Sequence, residues 1–169
     1  EGFDTLAIAR PDNVKYWTFS EVYGNLKLFN QQNPHHTLTL GNHMLSTMRH
    51  MKIPAHLFPE NRAWVCRGIL EAAFLHDWGK EYTKVFRDSK GRKTNEAHYY
   101  GHEGVSSYLF ATQSEVGKMM WGTSYMPLCC FLIEYHMVNL NDNKQIHVNF
   151  PEEWIELLKN LQIADRRAK

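Results

Sequence analysis

Cysteine, net charge and long apolar runs are all scarce in this sequence. Of its 169 residues, three are cysteine: Cys66, Cys129 and Cys130. No pair has C-x-x-C spacing and three thiols cannot all pair internally, so a disulfide framework is not expected. Such usage fits a reducing, cytoplasmic setting. Lys plus Arg total 19 against 18 for Asp plus Glu, a formal net charge of +1. That balance excludes a basic field strong enough for non-specific nucleic-acid or membrane binding. Apolar stretches such as Met126 to Ile133 fall far short of the ~20 residues that a membrane-spanning helix needs. The opening Glu1-Gly2-Phe3-Asp4 lacks a basic-then-apolar signal pattern, and no membrane partner is expected. The chain also starts without Met, which suggests a fragment of a larger multidomain protein. Period-2 alternation of apolar residues is rare, which argues against a sheet protein.

A 43% hydrophobic and 22% charged composition is that of a globular chain, and the length suits one compact domain with its own core. Histidine is the abundant residue: ten, as many as glycine. Ten imidazoles in a small domain raise the question of a metal.

The chain reads as helices divided by loops. A segment over 21–31, capped by Thr18 or Ser20, is stopped by Asn33-Pro34. Asn42 is the expected cap of a second helix ending before Pro54, and Pro59 the first-turn residue of a third. The third carries the buried face Trp64, Val65, Ile69, Leu70, Ala72, Ala73, Phe74 and Leu75, and stops at Gly79. DSKGRKT, from Asp88 to Thr94, predicts a turn or hairpin tip. Further helices are expected from Gly101 or His102 to Thr112, from Ser114 to Trp121, and from Pro127 to Val138. Asn139 to Phe150 reads as a polar loop, and Pro151-Glu152-Glu153 opens the last helix. The fold class is therefore all-α, a compact helical bundle of six to seven helices.

Chemistry concentrates at His76-Asp77, in FLHDWGK. An apolar helix that ends on an imidazole and a carboxylate must satisfy both. A carboxylate at a helix C-terminus is opposed by the helix dipole, so simple capping explains Asp77 poorly. A metal ion satisfies both groups, but two neighbours cannot fill its shell. His43, His102, His136 and Asp165 each sit beside an apolar run on other predicted helices, so each helix can bury one face and offer one ligand. Imidazole with carboxylate suits borderline divalent ions rather than Ca, and the set holds no thiolate.

The order His43, His76-Asp77, His102, His136, Asp165 resembles the HD-domain phosphohydrolase superfamily. LHDWGKEYTKVFRDSKGRKTNEAHYYGHEGVSSYLF is most similar to the HD domain of multifunctional tRNA nucleotidyltransferases and small phage or bacterial phosphohydrolases. NPHHTLTLGNHML resembles the segment with that family's first metal histidine. The likeness runs from about Asn33 to Arg167, so residues 1–32 are expected as a helical extension packed on a 33–169 domain. It implies His43, His76, Asp77 and Asp165 as metal ligands. His102 and His136 match positions that bind a second ion in two-metal members, with Asp77 bridging, or substrate phosphate in one-metal members. One or two ions of Mn, Ni, Co, Fe, Mg or Zn are implied. Lys80 matches a lysine near the phosphate. Trp78 departs from the usual small aliphatic residue and reads as a packing variation. Asp77, His102, His136 and Lys80 are thus the expected catalytic residues; Lys80, His36, Arg92 and Arg166 are the expected substrate contacts.

The implied activity is hydrolysis of a phosphomonoester or a cyclic or diester bond in a nucleotide or RNA end by metal-activated water. Its best subclass is a 2′,3′-cyclic phosphodiesterase and phosphatase. Alternatives are a nucleotidase, a deoxynucleoside triphosphate hydrolase, or a silent HD domain that binds nucleotide as a regulatory module. His50, His56, His98 and His147 read as ordinary surface or core histidines. Tyr99, Tyr100 and Trp121 read as core aromatics, although each can stack a base.

Overall fold

The computed structural model describes residues 14–169, and among these the fold is all-α with one small hairpin. Helix α1 (Phe19–Leu26) opens with a capping box in which the Thr18 hydroxyl accepts from the Glu21 amide and the Glu21 side chain accepts from the Thr18 amide. Helix α2 (Leu40–His50) is capped by Thr39. The expected cap, Asn42, lies one turn inside and accepts a hydrogen bond from the Tyr23 hydroxyl, which ties α2 to α1. α1 ends at Leu26, five residues short of the expected stop. Leu28 points outward, and the chain turns so that the Leu40 amide reaches the Phe29 carbonyl.

Helix α3 (Arg62–Leu75) is the centre of the molecule. Pro59 lies in the turn before it rather than in its first turn. Its apolar residues serve two cores. Val65, Ile69 and Ala73 pack with Leu128, Leu132, Leu158 and Leu161; Ala72, Phe74 and Leu75 pack with Leu26, Leu40, Met44 and Phe110. A helix buried on two sides is nearly apolar all round, as this one is. Trp78 is buried in the second core, so its bulk is used in packing.

Gly79 does not stop the chain. It precedes a single helical turn, α4 (Lys80–Thr83), which leads into strands β1 (Val85–Arg87) and β2 (Lys93–His98). The antiparallel pair has its tip within DSKGRKT, as the turn residues predict. Gly101, at φ 75°, makes the left-handed turn into α5 (His102–Gln113). α6 (Glu115–Met120) is capped by Ser114, and α7 (Met126–Glu134) carries proline in its first turn. α7 ends before the expected Val138, and a turn at Tyr135 to Met137 follows. The stretch expected as a polar loop contains α8 (Lys144–Asn149), capped by Asn143 and anchored by Ile146. α9 (Glu152–Arg167) packs against α2 and α7.

The N-terminal extension expected over 1–32 falls partly outside the described residues. Its described portion shares the second core through Val22 and Leu26. No helix among the described residues is long and apolar enough to cross a membrane.

Candidate metal centre

The central helix delivers His76 as its C-cap and Asp77 one residue later. Around them the neighbouring helices converge. His43 comes from the first turn of α2, His102 opens α5, His136 follows α7, and Asp165 lies in the last turn of α9. Close approach of α5 is built into Gly79. A Cβ there would meet the His102 carbonyl oxygen at 2.3 Å and the Ser106 amide nitrogen at 2.7 Å. The Gly79 amide instead donates to the Ser106 hydroxyl at 2.7 Å.

Asp77 is buried and divides its two oxygens. Oδ2 faces His43 Nε2 at 3.4 Å, His76 Nε2 at 3.3 Å and Lys80 Nζ at 3.2 Å. Oδ1 faces His102 Nε2 at 3.0 Å and His136 Nε2 at 3.3 Å. Asp165 Oδ1 closes the first side, 2.8 Å from His43 Nε2 and 3.3 Å from His76 Nε2. Two groups of donor atoms result: His43, His76, Asp77 and Asp165, and Asp77, His102 and His136. Within each, every atom lies within 4.8 Å of the others.

All four imidazoles are oriented in one way. Nδ1 of His43, His76, His102 and His136 lies 2.6–2.9 Å from the backbone carbonyls of Ala168, Ala73, Tyr99 and Ile133 respectively. Each Nδ1 therefore keeps its proton as a donor, so a neutral ring presents an Nε2 lone pair to Asp77 and only a ring that gains a second proton donates from Nε2. His102 Nε2 and His136 Nε2 stand 3.2 Å apart. With both rings neutral, two lone pairs at that distance beside a carboxylate oxygen would have no donor among themselves. The cluster collects acceptors in a dry site, and a proton or a cation must supply positive charge. The donor set, imidazole nitrogen with carboxylate oxygen, fits a borderline divalent ion.

Protons are one answer. Burial pulls the His43 ring down, but hydrogen bonds to Asp165 and Asp77 overcome it and raise it to about 9. Burial likewise opposes protonation of His76, and the charges of Asp77 and Asp165 lift it to about 10. Burial would push Asp77 up, yet His76, Lys80 and the hydrogen bonds from His102 and His136 hold it well below the usual carboxylate range. Asp165 is lowered in the same way, chiefly by His76 and His43 against its own burial. Burial pulls His136 down, against its hydrogen bond to Asp77.

Three clefts meet at Asp165. One of about 340 Å³ holds Asp77, Lys80, His98, Tyr99, Tyr100 and His102. A second, about 510 Å³, is lined by Asn139, Asn141, Lys159, Gln162 and Arg166. The third, about 240 Å³, holds His35, His36, Thr37 and again Arg166. His36 stands with its ring centroid 5.8 Å from that of His43. Burial, with Lys80 and His43 nearby, lowers it to about 4, so it is a neutral imidazole.

The six expected ligands thus come together, and Lys80, His36 and Arg166 border the same clefts. Arg92 does not join them. It sits at the hairpin tip, paired with Asp88 at 2.9 Å with its side chain 72% exposed, and lines none of the three clefts. The local Asp-x-x-x-Arg spacing across the turn favours that pair. Of the histidines read as ordinary, His50 and His147 bond to the backbone carbonyls of Ser46 and Leu140. His98, by contrast, lines the first cleft.

Gln31 is a contact that the sequence did not suggest. Buried, it accepts from Lys80 Nζ at 3.0 Å, and its carbonyl accepts from the Tyr99 hydroxyl. Tyr99, read as core, also lies under the Lys80 ammonium, 5.2 Å from ring centroid to Nζ. No local pattern marks Gln31, because its partners are 49 and 68 residues away. Comparison with family models, curated proteins and solved structures finds no match for the chain.

Proposed function

We propose that this chain is a metal-dependent phosphohydrolase of the HD-domain kind, acting on a nucleotide or an RNA-end phosphate. The 2′,3′-cyclic phosphodiesterase and phosphatase subclass is the preferred one. The observation that carries this reading is the division of Asp77 between two histidine pairs, with Asp165 closing one side. His43, His76, Asp77 and Asp165 would hold one divalent ion, and Asp77, His102 and His136 a second. Such ions lower the pKa of a bound water towards neutrality and neutralise phosphoryl oxygens.

The chain's own residues prepare the rest. The four backbone carbonyls fix the imidazole tautomers, so the Nε2 atoms need no reorganisation. Gln31 and Asp77 aim the Lys80 ammonium beside the first cleft, where it donates to a phosphate oxygen. Arg166 lines the other two clefts, which meet the first at Asp165, and its guanidinium would serve a phosphate group that extends into them. All three thiols are unpaired, which suits a cytoplasmic setting.

Purified protein supplied with Mn or Ni is expected to hydrolyse 2′,3′-cyclic nucleotides or bis-p-nitrophenyl phosphate. Asp77→Ala should abolish turnover and deplete bound metal. Full activity in Asp77→Ala removes the catalytic assignment. A metal-loaded protein that turns over no phosphoester fits a silent nucleotide-binding module instead.

A further inference from the structure

The first cleft is not polar throughout. Besides Asp77 and Lys80, its lining carries the rings of His98 and Tyr100, which lie 5.5 Å apart at an interplanar angle of 3°. Tyr100 is 49% exposed, so its ring is accessible from solvent. Met137, 61% exposed, adds a second apolar surface to the same cleft.

The backbone explains how the pair is held. β2 ends on His98, and Gly101, in the left-handed conformation, turns the chain immediately before His102. The Tyr100 hydroxyl donates to the Arg87 carbonyl at 3.1 Å, pinning the ring to β1. The Ala97 amide donates to the Gln32 carbonyl at 2.8 Å, and Asn33 Nδ2 donates to the Ala97 carbonyl at 3.1 Å, which docks the strand against the chain before α2. Tyr99 and Tyr100 both line the cleft, but the Tyr99 hydroxyl is tied to the Gln31 carbonyl and its ring lies under Lys80, whereas Tyr100 stacks on His98 and is half-exposed.

From this we infer that the His98–Tyr100 pair is the platform on which a nucleobase of the substrate stacks, with its phosphate at the Lys80 and Asp77 end of the cleft. Two parallel rings, with Tyr100 half-exposed beside the cleft, extend naturally to a third. Stacking on an aromatic side chain tolerates any base, because every base has a π-face. The substrate class is then a base-bearing nucleotide of relaxed base identity, rather than a sugar phosphate. This inference rests on the cleft being a phosphate-ester site, but the platform itself is read by binding.

The test compares the affinities of AMP and ribose 5-phosphate for the Mn-supplemented protein by calorimetry. AMP should bind the wild type about tenfold more tightly, the size expected of one stacking contact. Tyr100→Ala should lose that preference while its bound Mn stays at the wild-type level. Tyr100→Phe, which keeps the ring and loses only the bond to Arg87, should retain it. Equal affinity of the wild type for both compounds, or no binding of either, overturns the platform, as does a preference that survives in Tyr100→Ala. A Tyr100-dependent preference in a protein that hydrolyses no phosphoester leaves the platform standing and removes the hydrolytic reading.

Discussion

Burying Asp77 strips water from both its oxygens, and His43, His76, Lys80, His102 and His136 take the water's place. Their charge state decides how the site meets a metal. His43 at about 9 and His76 at about 10 lie above the ordinary 6.5, so both rings carry protons near neutrality in the metal-free protein. A raised histidine stabilises the fold fully below 6.5, and that contribution is lost as pH rises through 9 to 10. The metal-free protein should therefore lose thermal stability over that window. A divalent ion displaces those protons, so its apparent affinity should rise with pH, by up to roughly 100-fold per unit if both leave. Metal titrations at about pH 6 and about pH 8 check the sign. Affinity that falls with pH contradicts the assignment of these rings as ligands.

Elements place these residues, and much of that placement was legible. Each expected ligand lies beside an apolar run, and burial of those runs carries the polar residue inward. The capping residues Thr18 and Ser114, the Pro127 opening and the DSKGRKT turn are local signals that the structure keeps. What was not legible is non-local or weakly patterned. α8 buries only Ile146, too little periodicity to separate a helix from a loop. Gln31 owes its contacts to partners 49 and 68 residues away, whereas the place of Tyr100 in the cleft had a usable sign in the adjacency of His98-Tyr99-Tyr100 to Gly101-His102. Gly79 reads as a helix stop, but its lack of a side chain is what lets α5 approach. Gly79→Ala forces the Cβ onto the His102 carbonyl and Ser106 amide, both backbone atoms that cannot swing aside. It should cost about 1–3 kcal/mol, the usual range for overpacking. Chemical denaturation measures that loss, and an unchanged midpoint would show that the approach is looser than described.

Across the whole molecule the cluster joins segments 122 residues apart, from His43 to Asp165. It sits between two apolar cores that share α3. A cation bound there ties α2, α3, α5 and α9 to one point, and it stabilises the native state by mass action because the unfolded chain has no such convergence. The most direct test is the divalent metal retained per chain after dialysis against Mn, measured by elemental analysis for wild type and Asp77→Ala side by side. At least one equivalent on the wild type, and near none on the variant, is the predicted result. Equal metal on both, or none on the wild type, would mean that these imidazoles and carboxylates converge for some other reason.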